Sequence, residues 1–218
     1  MKMSSKIITD GTEILTNEQA DELWELGDSG AQNAATALSS LIGVPVSISV
    51  QKIIMVKLEN LQNYLDDSVA SMVVFQVRGQ VSGNGSIILH VPKKSILRLS
   101  SIMLGAPDED REINEMDMSM LHEIGNIMTS SYLDACANLL SLMLIPSPPS
   151  MVIDMPHAVI QSVIAGQEFD EELDQILLFK TDMHCAEFDL EAGLLLLPSK
   201  SLLHELLERF RKMRTTNT

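Results

Sequence analysis

The sequence predicts an α/β (α+β) domain in which two similar halves share one sheet about an approximate two-fold axis. Three observations carry that expectation. The chain has 218 residues and is 45% hydrophobic, which is enough apolar material for one large packed domain. A helical pattern, β-rich runs and a proline-led helical pattern occur twice in the same order. Residues also match across the repeat: Leu23/Leu121, Glu25/Glu123, Gly27/Gly125, Ala37/Ala135 and Leu41/Leu139 are each 98 positions apart.

The first half is expected over 17–105, after an N-terminal segment 1–16. Residues 21–42 carry Leu23, Leu26, Gly30, Ala34, Ala37 and Leu41 at helical spacing, so these should face the core. Thr16 or Asn17 supplies a cap, and the acidic first turns suit the helix dipole. The opposite stripe, Asp21, Glu25, Asp28 and Gln32, is polar throughout. Residues 44–58 are rich in Val and Ile and read as strand. Runs at 71–80 and 86–91 flank Ser82-Gly83-Asn84-Gly85, a hairpin signal. Pro92 then opens a helix running to about Leu104, at a position where proline is tolerated.

Residues 106–117, APDEDREINEMD, read as an acidic linker. The second half follows over 118–212. Its helix is expected over 118–144, with Leu121, Ile124, Met128, Tyr132, Ala135 and Leu139 inward and Ser119, Glu123, Asn126 and Ser130 outward. Two further apolar segments follow. The segment FDLEAGLLLLPSKSLLHELLERF then mirrors GSIILHVPKKSILRL, with Pro198 in the place of Pro92. Lys94/Lys200, Ser95/Ser201 and Leu97/Leu203 match at a shift of 106. The tail 213–218 is expected to fray.

Composition narrows the function classes. The formal net charge is −15. Nucleic-acid binding needs a basic stripe to neutralise phosphates, and none is present. The densest basic stretch, KKSILR from Lys93, reads as the polar face of a helix start. An anionic membrane surface is disfavoured by the same charge. No apolar run is long enough for a membrane helix, and MKMSSKIITD lacks the apolar core of a signal segment. Cys136 and Cys185 form no CxxC pair, and Cys136 lies in an apolar helical pattern as a buried thiol. These features lead us to expect a cytoplasmic protein.

The chemistry concentrates in HEIGN, residues 122–126. Glu123 and Asn126 stand three apart and share one helix face, with Ser119 and Ser130 a turn to either side. Gly125 between them costs about 1 kcal/mol against alanine in a helix, which implies a close approach beside the pair. Two readings stand at this point: an ordinary solvated polar stripe, or a site. HEIGN is not HExxH, because Asn126 occupies the place of the second histidine. The five histidines show no ligand spacing, SGNGS at 82–86 is too short to cradle a phosphate, and there is no GxSxG. No metal site is expected.

The chain resembles the CheC/CheX/FliY family of chemotaxis phosphatases, most closely CheC, over about residues 17–212. In that family an active helix carries Asp or Ser, then Glu four positions on, Asn three further, and a proline after 22 more residues. Ser119, Glu123, Asn126 and Pro149 fit that pattern and its spacing. The stretches PSPPS and MVIDM are also typical of CheC. In the first copy Asp21 and Glu25 fit, but Asp28 replaces the asparagine and Gln51 the proline.

The resemblance implies a hydrolase acting on the aspartyl phosphate of phosphorylated CheY. It assigns Asn126 to holding the attacking water and Glu123 to pairing with a lysine near the phosphoryl group. Magnesium would come with the regulator, so this chain needs no cofactor of its own. The Glu25/Asp28 site is expected to be weak or silent, because an ionised Asp28 faces an anionic phosphoryl group. At 4 Å that repulsion is about 1 kcal/mol in water and about 4 at an effective dielectric of 20. The larger value is nearly a thousandfold in rate. The resemblance also implies binding of CheD, a receptor deamidase, after Pro149. Asp154 marks the expected contact, with Met151, Val152 and Met155 supplying its apolar part. Read without the resemblance, Asp154 is a helix-start carboxylate. The rival function is a binding module: a CheD adaptor, or a flagellar-switch component that docks CheY with little hydrolysis.

Overall fold

The computed structural model describes residues 7–9, 15–65, 69–105, 111–166, 175–185 and 190–216. In chain order the elements are β1 (Ile7–Thr9), α1 (Asn17–Ile42), β2 (Ser47–Lys57), a 3-10 segment (Leu58–Tyr64), β3 (Ala70–Gly79), β4 (Gly85–Val91), α2 (Lys93–Leu104), α3 (Glu115–Leu140), β5 (Leu144–Pro146), β6 (Ser150–Asp154), α4 (Pro156–Gly166), β7 (Gln175–Cys185), β8 (Leu190–Pro198) and α5 (Lys200–Thr216). The expected linker falls partly outside the described residues, at 106–110. Its last three residues form the first turn of α3. Helix α5 continues to Thr216, four residues into the segment expected to fray.

The two long helices are set by capping boxes, each of which satisfies two otherwise orphan N–H groups. At α1, Thr16 Oγ1 accepts from the Gln19 N–H at 3.2 Å and Gln19 Oε1 accepts from the Thr16 N–H at 2.9 Å. At α3, Asn114 Oδ1 accepts from the Asp117 N–H and Asp117 Oδ2 from the Asn114 N–H. These caps start both helices earlier than apolar periodicity alone suggests. Helix α3 also ends four residues before the expected 144, where Ser141 adopts φ 52° and the Leu142 N–H turns back to the Ala137 carbonyl. Near the helix ends the buried stripe drifts by one residue, as a 3.6-residue period requires. Leu38, Ile42 and Leu140 are buried, whereas Ala37 and Leu139 are half-buried and Leu41 is exposed.

One sheet runs in the order β1-β2-β7-β8-β4-β3-β5, with β6 also paired to β3. Its register is compatible with duplication. Val73 faces Met151 across β3/β6 as Phe179 faces Ile53 across β7/β2, which are equivalent pairs at shifts of 106 and 98. In the two hairpins Val73 faces Leu89 as Phe179 faces Leu196, so β4 and β8, which pair at the centre of the sheet, are related by a shift of 107. The 106-residue match of Pro92 to Pro198 is therefore one residue out of register in the final strand and helix. Pro198 closes β8, and Ser199 caps α5 in the place where Pro92 caps α2: its carbonyl accepts from the Leu203 N–H and its Oγ from the Leu202 N–H. Irregularities coincide too. β2 has a bulge between Val50 and Lys52, at Gln51, and 98 residues on Pro149 lies in the gap between β5 and β6. A proline cannot donate to the ladder, so the second copy breaks the strand where the first only kinks it.

The sheet's faces are covered unequally. Helices α1, α2, α3 and α5 pack on one face over a core that includes Ile53, Val73, Phe75, Ile87, Phe179 and Leu196. The other face carries α4 and the 3-10 segment, through Val159, Ile160, Tyr64 and Leu65, over Ile54, Met72, Ile88 and Leu178. The connection from α2 into α3 is pinned by Asp117, whose side chain is only 1% exposed. Arg111 grips it in a fork, Nη1 to Oδ2 at 2.6 Å and Nη2 to Oδ1 at 2.8 Å, and the Ser100 hydroxyl donates to Oδ1. Chiefly because of the Arg111 fork, the Asp117 carboxyl is held well below the usual carboxylate range.

A depressed folded-state pKa adds stability above the unfolded carboxylate value of about 4, and that stability is lost as pH falls further. Asp117→Ala should therefore cost about 3 kcal/mol at pH 7 by urea denaturation, because it leaves buried donors unmatched. The gap between variant and wild type should narrow below about pH 4. An equal gap at pH 7 and pH 3 would remove the carboxylate from this account.

Candidate functional site

Helices α1 and α3 lie side by side on the sheet, and each turns its polar stripe away from it. On α3, Ser119, Glu123 and Asn126 are exposed and Ser130 is half-buried. Leu121, Ile124, Gly125 and Met128 are buried on the opposite side. Glu123 and Asn126 make no hydrogen bond or ion pair with any described residue. The Asn126 amide therefore keeps both its donor and its acceptor capacity for an incoming group. On α1, Asp21 and Glu25 are exposed and Asp28 is half-buried. Asp28 is already engaged: its Oδ2 accepts from Gln32 Nε2 at 2.7 Å.

The sequence led us to expect a close approach beside Glu123 and Asn126. It occurs, but on the buried side. A Cβ on Gly125 would lie 3.3 Å from Val73 Cγ1 and 3.3 Å from Phe75 Cζ, so the glycine seats α3 on the sheet. Gly27 does the same for α1, where a Cβ would be 3.0 Å from Val50 Cγ2. The helices also meet each other through a glycine. The Tyr132 ring of α3 occupies the space beside Gly30 of α1, and a Cβ there would be 2.6 Å from the ring. Beside this contact the Cys136 thiol donates to the Leu26 carbonyl at 3.8 Å, and burial pushes its pKa up to about 12.

Pro149 sits in the interruption between β5 and β6 on the sheet edge, and Gln51 sits at the matching bulge of β2. Asp154 is the last residue of β6 rather than the first of a helix. Its Oδ1 accepts from the Met155 N–H at 2.7 Å, just before α4. It is exposed, next to Val152 and Ile153, which are 38% and 53% exposed. A separate cleft of about 520 Å³ includes Lys180, Asp182, His184 and Glu191 in its lining. It contains none of the predicted site residues except Gln51, the departure at the proline position. Among the described residues no group of three or more His, Cys, Asp or Glu is placed to hold a metal ion, and no helix is long and apolar enough to cross a membrane.

The profile of the CheC-like family matches residues 116–153, the span that runs from α3 through β6. The CheY-P phosphatase CheC of Bacillus subtilis (strain 168) is 31% identical over 149 residues, covering 67% of this chain and 71% of that protein. This chain belongs to the CheC-like family. A second family relative, the putative CheY-P phosphatase CheC1 of Halobacterium salinarum, is 26% identical over 175 residues, 80% of this chain and 87% of its own. The crystal structure of Thermotoga maritima FliY shares the fold, with a TM-score of 0.69 at 23% identity, over 92% of this chain and 99% of that one.

Sequence reasoning missed two groups in this CheC-like domain. Asp117 was read as linker, although its spacing from Asn114 is that of a capping pair. Glu22 was passed over because it lies next to the polar stripe. It is buried on α1, and its pKa is raised, first by burial and further by Glu25, with Arg211 opposing. A carboxylate adjacent to an apolar stripe was the only available signal.

The helix contact can be tested from both sides. Gly30→Ala should destabilise the fold by about 2 kcal/mol, because the buried Tyr132 ring cannot retreat and overpacking outweighs the gain in helix propensity. The Tyr132 hydroxyl is buried and has no hydrogen-bond partner among the described residues. Tyr132→Phe should therefore leave the urea midpoint unchanged or raised. A large loss in Tyr132→Phe would mean that the hydroxyl has a partner.

Proposed function

We propose that this chain hydrolyses the aspartyl phosphate of a phosphorylated CheY, with Glu123 and Asn126 of α3 as the working pair. One observation carries the reading. The two side chains lie one turn apart on a helix locked against the sheet, exposed and without partners among the described residues. Membership of the family and the names of its CheC relatives support the substrate class.

In this reading α3 docks so that Asn126 enters the regulator's phosphorylation site. Its amide orients a water in line with the phosphorus. The water oxygen bonds to phosphorus as the bond to the aspartyl oxygen breaks. The regulator's carboxylate leaves with the electron pair, and inorganic phosphate is released. Such transfer needs positioning and charge stabilisation more than covalent help from the protein. Glu123 pairs with a lysine of the regulator and fixes the register of docking. Mg²⁺ belongs to the regulator and arrives with it. Helix α1 contributes little, because Asp28 is acceptor-only when ionised and already holds Gln32.

Binding of CheD at the β6 edge belongs to the same proposal. Its support is the placement of exposed Asp154 beside exposed Val152 and Ile153, an acidic group with apolar neighbours on one strand. This contact is separate in the chain from Asn126, so adaptor and phosphatase roles are separable by mutation.

The decisive assay is the decay of phosphorylated CheY from the same organism with and without the protein. Wild type should accelerate decay, and Asn126→Ala should remove at least a hundredfold of that acceleration while still retaining CheD. Glu25→Ala/Asp28→Ala should keep more than half of wild-type activity. Normal hydrolysis by Asn126→Ala would refute the assignment. No acceleration by wild type would leave the binding-module reading.

A further inference from the structure

The two outward stripes correspond residue for residue at a shift of 98. They read Glu18, Asp21, Glu25, Asp28, Gln32 on α1 and Met116, Ser119, Glu123, Asn126, Ser130 on α3. The first carries four carboxylates and the second one. The sharpest contrast is at the first position, where Glu18 is replaced by Met116. Met116 is 63% exposed, whereas Met55, Met72, Met120, Met128 and Met183 fill core space. It is seven residues, two helical turns, before Glu123, which places it on the same face.

We propose that Met116 is an apolar anchor that docks the phosphorylated response regulator on α3; this rests on the hydrolysis reading above. The occupant follows from charge and reach. An aspartyl phosphate is anionic, and its magnesium is held by oxygen ligands that include carboxylates. Such a surface is repelled by the four carboxylates of the α1 stripe and tolerated by the single one of the α3 stripe. Met116 and Asn126 are ten residues apart, about 15 Å along the helix. A standard interface of about 800 Å² per partner spans both. Methionine suits the place because its unbranched chain repacks against a partner at little strain. Three of the differences, at Met116, Ser119 and Asn126, together explain why one helix is the docking face: acid is removed along the stripe, and an apolar contact is added at its end.

The test measures binding of CheY loaded with beryllofluoride, a stable phosphoryl mimic, by calorimetry, alongside steady-state hydrolysis. Met116 is exposed, so Met116→Ala should fold as wild type. It should weaken binding about tenfold and raise KM correspondingly, with kcat unchanged. Met116→Leu should stay within about twofold of wild type. Met116→Ala binding like wild type, while wild type hydrolyses and Asn126→Ala does not, would overturn the anchor alone. Equal losses in Met116→Leu and Met116→Ala would overturn it too, since an apolar anchor accepts an isosteric side chain. Failure of wild type to hydrolyse, or normal hydrolysis by Asn126→Ala, would refute the underlying reading and this inference with it.

Discussion

The close contact of α1 with α3 at Gly30 and Tyr132 fixes the geometry on which the rest depends. The tyrosine ring takes the volume that any side chain at residue 30 would need. The helices can therefore share one face of the sheet at short range. Gly27 and Gly125 set the other dimension, how deeply each helix beds on the strands. Interiors are close-packed and compress little, so three glycines and one ring leave each helix a single resting place. The outward stripes inherit that rigidity. The proposed pair, Glu123 and Asn126, would draw on it, because positioning is most of what phosphoryl transfer asks of a protein.

The frame is compatible with two similar halves, which diverge at the strand break of Pro149, at the one-residue shift of Pro198 and in what each long helix shows outward. Register, bulge and helix order correspond across the sheet's centre. Both helices keep the seating glycine and the glutamate two residues before it. They part at the residue one position after that glycine, Asp28 or Asn126, and at the acidic load of the surrounding stripe. A packed frame tolerates such changes because exposed positions carry little of the folding free energy. In the second half the strand matching β2 is broken at Pro149, leaving β6 as an outer strand on which Val152 and Ile153 are exposed, whereas their equivalents in β2, Ile54 and Met55, pair with β1 and are buried.

Much of the frame was legible in the sequence, for a physical reason in each case. Periodicity found α1 and α3, and Ser82-Gly83-Asn84-Gly85 found the hairpin between β3 and β4. Helix boundaries were not legible from periodicity, because they are decided by capping boxes at Thr16 and Asn114 rather than by apolar spacing. The shift of 106 misled at Pro198 because a proline is tolerated both at the end of a strand and before a helix. Within the site, the exposure of Glu123 and Asn126 followed from their stripe. The role of Gly125 did not: a glycine beside polar residues suggested a ligand's approach, whereas the neighbours are Val73 and Phe75 beneath it. No local pattern specifies which strands lie under a helix.

Entry of the Asn126 side-chain amide into the regulator's phosphorylation site is the proposed step on which hydrolysis turns. It is tested most directly by following that amide itself. In ¹⁵N-labelled protein its NH₂ resonances can be assigned by their loss in Asn126→Ala and followed as magnesium- and beryllofluoride-loaded CheY is added. A large shift or broadening of the Asn126 amide is expected, with the backbone of Ser119 and Glu123 shifting alongside it and α1 nearly silent. An unchanged Asn126 amide at saturation, with resonances on α1 moving instead, would contradict it.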